Sequence, residues 1–415
     1  MIRRLLLLIP FVCCCFVLKA QFNNDFLYYT KYGRSINMHG EYDFNSTAIQ
    51  NGFIDKFITG GYLDSATKAR SQKNMTAANR VGGSYAVGVT AFWGAKGSKY
   101  SFITGIKQVE LFNSTFSQDF FSMAFFGNKM FEGKTANIGG TTVNHFKFQE
   151  VKLGFIWDHI DTTAKVGFSV SYLKGQNLFQ VNTGTSSVYT TTDASEIYLN
   201  MHGSFTTSDT SKNKQGYGAF NGNGASAEFF ADMPYTSKLG ESKFYVAVNN
   251  LGFIRWNQNT MNLNFDTNYI YRGVTVNNLF AVSDSSLKQL SKDSLYKKIV
   301  HTSMQRKSVN LPTSFFIVHS IKFSELFTLN NGFRHVFQGN YVPYIFAEGV
   351  FKIHKKFTAT LHVGVGGYGK LTTGINLEYK LNSWYIRMGS NALQGYIAPK
   401  QTLGQGLFFS LSKKL

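Results

Sequence analysis

Cysteine is absent after residue 15, since Cys13, Cys14 and Cys15 are the three the chain has. An exported chain of this kind has no disulfides to hold it and depends on its own pairing and packing. Proline is scarce, at 5 residues, so little interrupts a ladder of strands. No run of 18 or more apolar residues follows residue 20, which excludes a membrane-spanning helix from the body of the chain. Acid is scarce as well, with 23 Asp and Glu against 42 Lys and Arg. Few carboxylates and no cysteine leave no metal cluster to propose. No G-x-S-x-G elbow and no H-E-x-x-H pair is present, so neither hydrolase nor metalloprotease chemistry has its usual carrier. The expectation is that the protein is not an enzyme and carries no cofactor.

What is abundant points one way. The chain has 40 Phe, 22 Tyr and 39 Gly, a mixture that suits pleated surfaces and tight turns. Its first residues read MIRRLLLLIPFVCCCFVLKAQ, with Arg3 and Arg4 ahead of an apolar run over residues 5–18 and Ala20 before Gln21. That is the anatomy of a secretory signal peptide over residues 1–20. An uncleaved anchor and a lipoprotein are the weaker alternatives. Removing Arg3, Arg4 and Lys19 lowers the formal charge from +19 to +16. So basic a chain suits an anionic lipid surface or an anion-favouring lumen. Nucleic acid fits poorly, because the chain is exported and its cations are scattered.

From about residue 84 the pattern has period two. SYAVGVTAFWG (84–94) puts Tyr85, Val87, Val89, Ala91 and Trp93 on one side. FKFQEVKLGFIWD (146–158) sets Val151, Leu153, Phe155 and Trp157 against Glu150, Lys152 and Gly154. KFTATLHVGVGGYG (356–369) sets Phe357, Ala359, Leu361, Val363 and Val365 against Thr358, Thr360, His362, Gly364 and Gly366. About fourteen to sixteen such segments, many near 10 residues long, suit tilted strands crossing a bilayer. A soluble core stops growing near ~250–300 residues, and no linker divides this chain. The polar rows are rich in Gly, Ser and Thr. The apolar row of each strand is therefore expected to face lipid and the small polar row the lumen. The expected fold is all-β, a transmembrane antiparallel β-barrel over residues 80–415, preceded by an N-terminal segment (21–79) that could act as a plug or hatch. A short helix is expected near Gly52–Ala69, and a charged helix over 281–300.

The chain resembles an uncharacterised family of Bacteroidetes outer-membrane barrels, distantly similar to the FadL-like long-chain fatty-acid transporters. The resemblance is carried by FFGNKMFEGKTA (125–136), SYLKGQNLF (171–179), NGNGASAEFF (221–230), NNLGFIRWN (249–257), LPTSF (311–315), GVGGYG (364–369) and RMGSNALQGYIAP (387–399). It implies a barrel of fourteen strands in the bacterial outer membrane, with the N-terminal residues able to fold inside. It brings no settled activity.

Two functional expectations follow. In one, the barrel binds or passes a small hydrophobic or anionic molecule, with residues near Gly52–Tyr62 as a hatch. Phe120, Phe121, Phe125 and Phe126 would be its apolar contacts and scattered lysines would hold a carboxylate. In the other, the barrel is a non-transporting scaffold or anchor for envelope proteins of secretion or gliding machinery. Partners are accordingly outer-membrane lipid and lipopolysaccharide, with a small hydrophobic ligand or an envelope protein. His202 and Ser204 share a strand face but have no oxyanion donor in view, and GVGGYG sits in a strand with no helix after it. Neither sequence supports a catalytic or dinucleotide site.

Overall fold

The computed structural model describes residues 25–95, 97–158, 163–209, 211, 216–272 and 301–415. The expected leader over 1–20 and the expected helix over 281–300 lie outside the described residues.

Helix α1 (Phe26–Tyr32) leads into strand β1 (Ser35–Ser46). Helices α2 (Asn51–Thr59) and α3 (Ser65–Lys73) precede β2 (Asn79–Trp93) and β3 (Tyr100–Phe116). Helix α4 (Gln118–Phe126), a 3-10 turn at Lys129–Phe131 and the short β4 (Lys134–Asn137) then lead to β5 (Thr142–Asp158) and β6 (Lys165–Asn182). Two further strands, β7 (Ser187–Thr190) and β8 (Ile197–Thr207), come before β9 (Gly222–Ser237) and β10 (Gly240–Trp256). The chain continues through β11 (Met261–Tyr271), β12 (His301–Met304), β13 (Lys307–Asn310), β14 (Ser314–Lys322), β15 (Phe327–Val336) and β16 (Val342–His354). It ends with β17 (Phe357–Gly367), β18 (Leu371–Leu381), β19 (Trp384–Ser390), helix α5 (Gln394–Ile397) and β20 (Gly404–Lys414).

Fourteen of these strands close into an antiparallel barrel. The circuit runs β1, β2, β3, β5, β6, β9, β10, then β14 to β20 in turn, and returns to β1. The closing pair runs from Ser35 opposite Lys414 to Asn45 opposite Gly404. Closure leaves no unpaired wall edge, which is what lets a sheet sit in hydrocarbon. The other strands lie beyond the wall at one end. There β8 pairs with the last residues of β6, with β7 and with β11, while β4 and β12 flank that sheet. Strand β13 continues the wall against the end of β10. Several connections at this end are long, as at 47–78, 117–141 and 391–403, although that at 368–370 is a tight turn. At the opposite end they are short, as at 238–239, 323–326, 355–356 and 382–383, and β1 begins and β20 ends there. Barrels of this class place short turns in the periplasm and long loops outside.

The faces are those read from the sequence. Val363 is 46% exposed, and its neighbour His362 is 4% exposed and turned inward. Val151, Leu153, Phe155 and Trp157 are exposed, whereas Glu150 and Lys152 are buried in the lumen. Exposed Trp93, Tyr100, Trp157, Tyr379 and Trp384 gather near the short-turn end, where amphipathic rings meet the headgroups. Among the described residues no helix is long and apolar enough to cross a membrane.

One boundary differs from expectation. The segment 21–79 is not wholly separate from the barrel, because β1 lies within it and closes the wall between β2 and β20. Its outward row, Ile36, Met38, Gly40 and Tyr42, is interrupted by a glycine, so the period-two signal is weak there. The helix expected near Gly52–Ala69 is two helices. Gly60 ends α2 with a left-handed φ of 74°, a conformation glycine adopts without steric cost. Asp64 then caps α3 by accepting from the Thr67 amide at 2.7 Å.

Candidate functional site

Helix α1 lies inside the barrel, with Phe26, Tyr29 and Tyr32 buried. Seven residues are too few for a stable free helix, so the wall must hold it. Its first contacts are ionic. The Asp25 carboxylate stands 2.7 Å from the Lys152 ammonium of β5 and 3.0 Å from that of Lys107 on β3. Lys152 also meets Glu228 of β9 at 2.5 Å and Glu150 at 3.3 Å, and Lys107 meets Glu150 at 3.4 Å. Ser171 donates to Glu150 at 2.6 Å. All these side chains are buried. Three carboxylates thus share two ammonium groups, with His39 at 3.6 Å from Asp25. Such a network tolerates the loss of a partner poorly, because the remaining charge stays buried.

Further along α1 the contacts become aromatic. Phe26 stacks on Phe230 at 4.4 Å, and Tyr29 meets Phe92 at 5.3 Å while bonding Ser101 and Asp158. At the short-turn end Tyr32 donates to Glu378 of β18 at 2.6 Å and packs on Tyr385 of β19. The helix therefore leans on the β1–β9 side and on β18 and β19.

Opposite it lies a cavity of about 310 Å³. Leu27, Tyr28 and Lys31 of α1 form one wall. Tyr245 of β10, Phe316 and Val318 of β14, Phe346 and Val350 of β16, and Phe408 of β20 supply apolar surface around the rest. Above it lies a layer of rings, Tyr344, Phe346 and His362. The Tyr344 hydroxyl is 2.7 Å from both His362 Nε2 and Thr372, and His362 Nδ1 is 3.2 Å from Glu348. Gly364 and Gly332 make this layer possible. A Cβ at Gly364 would fall 2.0 Å from the Tyr344 oxygen, and one at Gly332 2.0 Å from the Phe346 ring. The glycines of GVGGYG thus admit a ring and a tight turn. Beyond the layer two cavities of about 50 Å³ each share Asp43, Arg334, Tyr341 and Tyr368.

At the long-loop end a packed apolar cluster lies on the outward rows of β1, β2 and β3. Phe53 and Ile54 of α2 are buried with Phe44, Phe116 and Phe121, and Phe120 and Phe125 pack against them. Phe53 meets Phe121 at 5.6 Å and Phe125 at 4.9 Å. Phe126 is partly exposed. The segment around Gly52–Tyr62 thus stands in the first long loop, not in the lumen, and against the helix that carries the four phenylalanines. Ser117 caps that helix by accepting from the Phe120 amide at 3.0 Å. His202 is 2.6 Å from Asp266 on the sheet beyond the wall. The Asp25 network was not foreseen, although Glu150 and Lys152 at i and i+2 place two opposite charges on one lumen-facing row. Among the described residues no group of His, Cys, Asp and Glu could hold a metal.

A closed wall, an apolar exterior and a polar lumen define an outer-membrane β-barrel. The chain belongs to a family described as a family of unknown function, DUF5723, whose profile matches residues 35–391. That match begins at the first residue of β1. None of the curated proteins matches the chain. Among solved structures, the Pseudomonas putida toluene transporter TodX is 7% identical, with 95% of this chain and 93% of that chain covered and a TM-score of 0.42. A Pseudomonas aeruginosa FadL homologue is 10% identical over 91% of this chain and 89% of that chain, with a TM-score of 0.42. The translocator domain of the Neisseria meningitidis autotransporter NalP is 8% identical over 92% and 88%, with a TM-score of 0.33.

Proposed function

We propose that this barrel binds a small hydrophobic molecule in the lumen beside α1 and passes it across the outer membrane. The cavity of about 310 Å³ carries the reading. A dry apolar cavity of about 150 Å³ takes a benzene, so this one suits a two-ring or short-chain molecule. Its cations already have partners, which favours a neutral ligand over an anion. Lys31 meets Glu378 at 2.5 Å, Lys243 meets Asp232 at 3.5 Å, and Arg387 lies 4.8 Å from the Phe408 ring centre. In this reading α1 is the plug. Phe120, Phe121, Phe125 and Phe126, with α2, offer the molecule apolar contact at the long-loop end before it reaches the lumen.

Binding of tritiated naphthalene to the purified protein, read by scintillation proximity, tests the proposal. Saturable binding is expected. Val318→Trp fills the cavity and should weaken binding by at least about tenfold, a cost of 1.4 kcal/mol or more. Unsaturable signal, equal in both proteins, overturns it.

A scaffold role is favoured by one observation: β4, β7, β8, β11 and β12 build a sheet beyond the wall that small-molecule passage does not require. Cross-links from the exposed Tyr189 and Tyr198 to one envelope protein, without saturable naphthalene binding, would move the conclusion there.

A further inference from the structure

The short-turn rim is unevenly charged. On one side its charges pair with each other, since Lys322 meets Glu241 at 3.2 Å and Glu325 at 2.6 Å. On the other side, across the ends of β16 to β20, Lys355, Lys356, Lys380, Lys413 and Lys414 are all exposed. No Asp or Glu occurs in residues 355–358, 379–384 or 411–415. The backbone brings these cations together. The Lys380 amide donates to the Lys356 carbonyl at 2.8 Å, and the Lys414 amide to the Ser383 carbonyl at 2.8 Å. Trp384 lies opposite Lys413 in the ladder. Five neighbouring strands at about 4.8 Å spacing set the lysines along one arc.

The same arc reaches the membrane interface. The Lys413 ammonium lies 5.3 Å from the Trp384 ring centre, and Trp384, Tyr379 and Leu381 are exposed on the outward face. Phe351, Ile353 and Leu361 continue that apolar surface along β16 and β17. Cations above an aromatic belt, with exposed apolar side chains beside them, match a phosphate headgroup with its acyl chains below.

We infer that this arc is a docking site for anionic phospholipid of the periplasmic leaflet. Two or more headgroup phosphates would lie among the five lysines, and their acyl chains would run along β16 to β19. The site is separate from the lumen cavity and does not depend on what that cavity binds.

Native mass spectrometry of the purified protein offered equal phosphatidylglycerol and phosphatidylcholine tests the inference. Retained adducts should be mainly phosphatidylglycerol, and rising ammonium acetate should strip them. The quintuple Lys→Gln variant at positions 355, 356, 380, 413 and 414 should lose the preference, falling about tenfold in retained phosphatidylglycerol. A matched variant at Lys56, Lys68, Arg70, Lys73 and Lys400 in the long loops should retain it. Heat-modifiable gel migration reports whether each barrel is folded. Should the quintuple variant fail to fold, K355E/K356E in the turn alone is expected to give a partial loss. Equal retention of both lipids by the wild type, or loss only in the long-loop variant, overturns the inference.

Discussion

The two sides of the lumen are built from the same alternation and end differently. On the β3–β9 side the inward row carries long charged side chains, Lys107, Glu150, Lys152 and Glu228, and these grip α1 through Asp25. On the β10–β16 side the inward rows set Tyr245, Phe316, Val318 and Phe346 among Lys243, Ser320, Asn330 and Glu348, whose charged members find partners in the wall itself (Asp232 for Lys243, His362 for Glu348), and a cavity of about 310 Å³ remains between this side and the helix. Buried charge demands a partner, so the charged side is filled. Apolar surface makes no such directional demand, so the other side can stay open. Alternation decides which way a side chain points. The chemistry of the inward row decides whether anything is held there.

The largest expected effect breaks the filled side. Lys152→Met leaves Glu228 buried without its 2.5 Å partner and should cost about 3–5 kcal/mol. The checks are a lower temperature for loss of heat-modifiable gel migration and protease access to residues around Phe26. An unchanged barrel would mean that the network does not hold α1. Next comes the contrast between the faces of β17. Val363→Arg puts a cation in the lipid and should cost about 2–4 kcal/mol at mid-bilayer, read as a loss of assembled protein in membranes. Thr360→Arg points into the cavity and should assemble normally while abolishing naphthalene binding. Equal assembly defects would contradict the assignment of faces.

A smaller effect tests the cap. Ser117→Ala removes the bond to the Phe120 amide and should cost about 1 kcal/mol. Faster proteolysis at α4 with an intact barrel is the expected outcome. Smallest of all, Lys322→Ala removes two exposed contacts at the rim. Ion pairs of this kind contribute little, and no change in gel migration is expected. A large change would show that the short-turn rim is structurally coupled in a way its exposure does not suggest.

Much of the wall was legible in the chain. Val363 and its row could be read as outward because a strand has period two and the opposite row is too small and polar for a soluble core. Strand β1 was harder to read, because Gly40 interrupts its outward row. Phe120, Phe121, Phe125 and Phe126 were visible as part of an aromatic segment, but the packing of Phe121 and Phe125 on Phe53 joins residues about seventy positions apart through the return of two strands. The charge network could be glimpsed in Glu150 and Lys152. Its third carboxylate, Asp25, lies more than a hundred residues earlier, and no local pattern links it to them.

The sequence by itself determined a membrane barrel and which face of the clearly alternating wall strands meets lipid, because both follow from local period-two patterning. Only the tertiary structure decided that β1 closes the wall, that α1 leans on one side and that a cavity remains on the other. Those outcomes depend on pairings and charges far apart in the chain, which meet only once the sheet has curled back on itself.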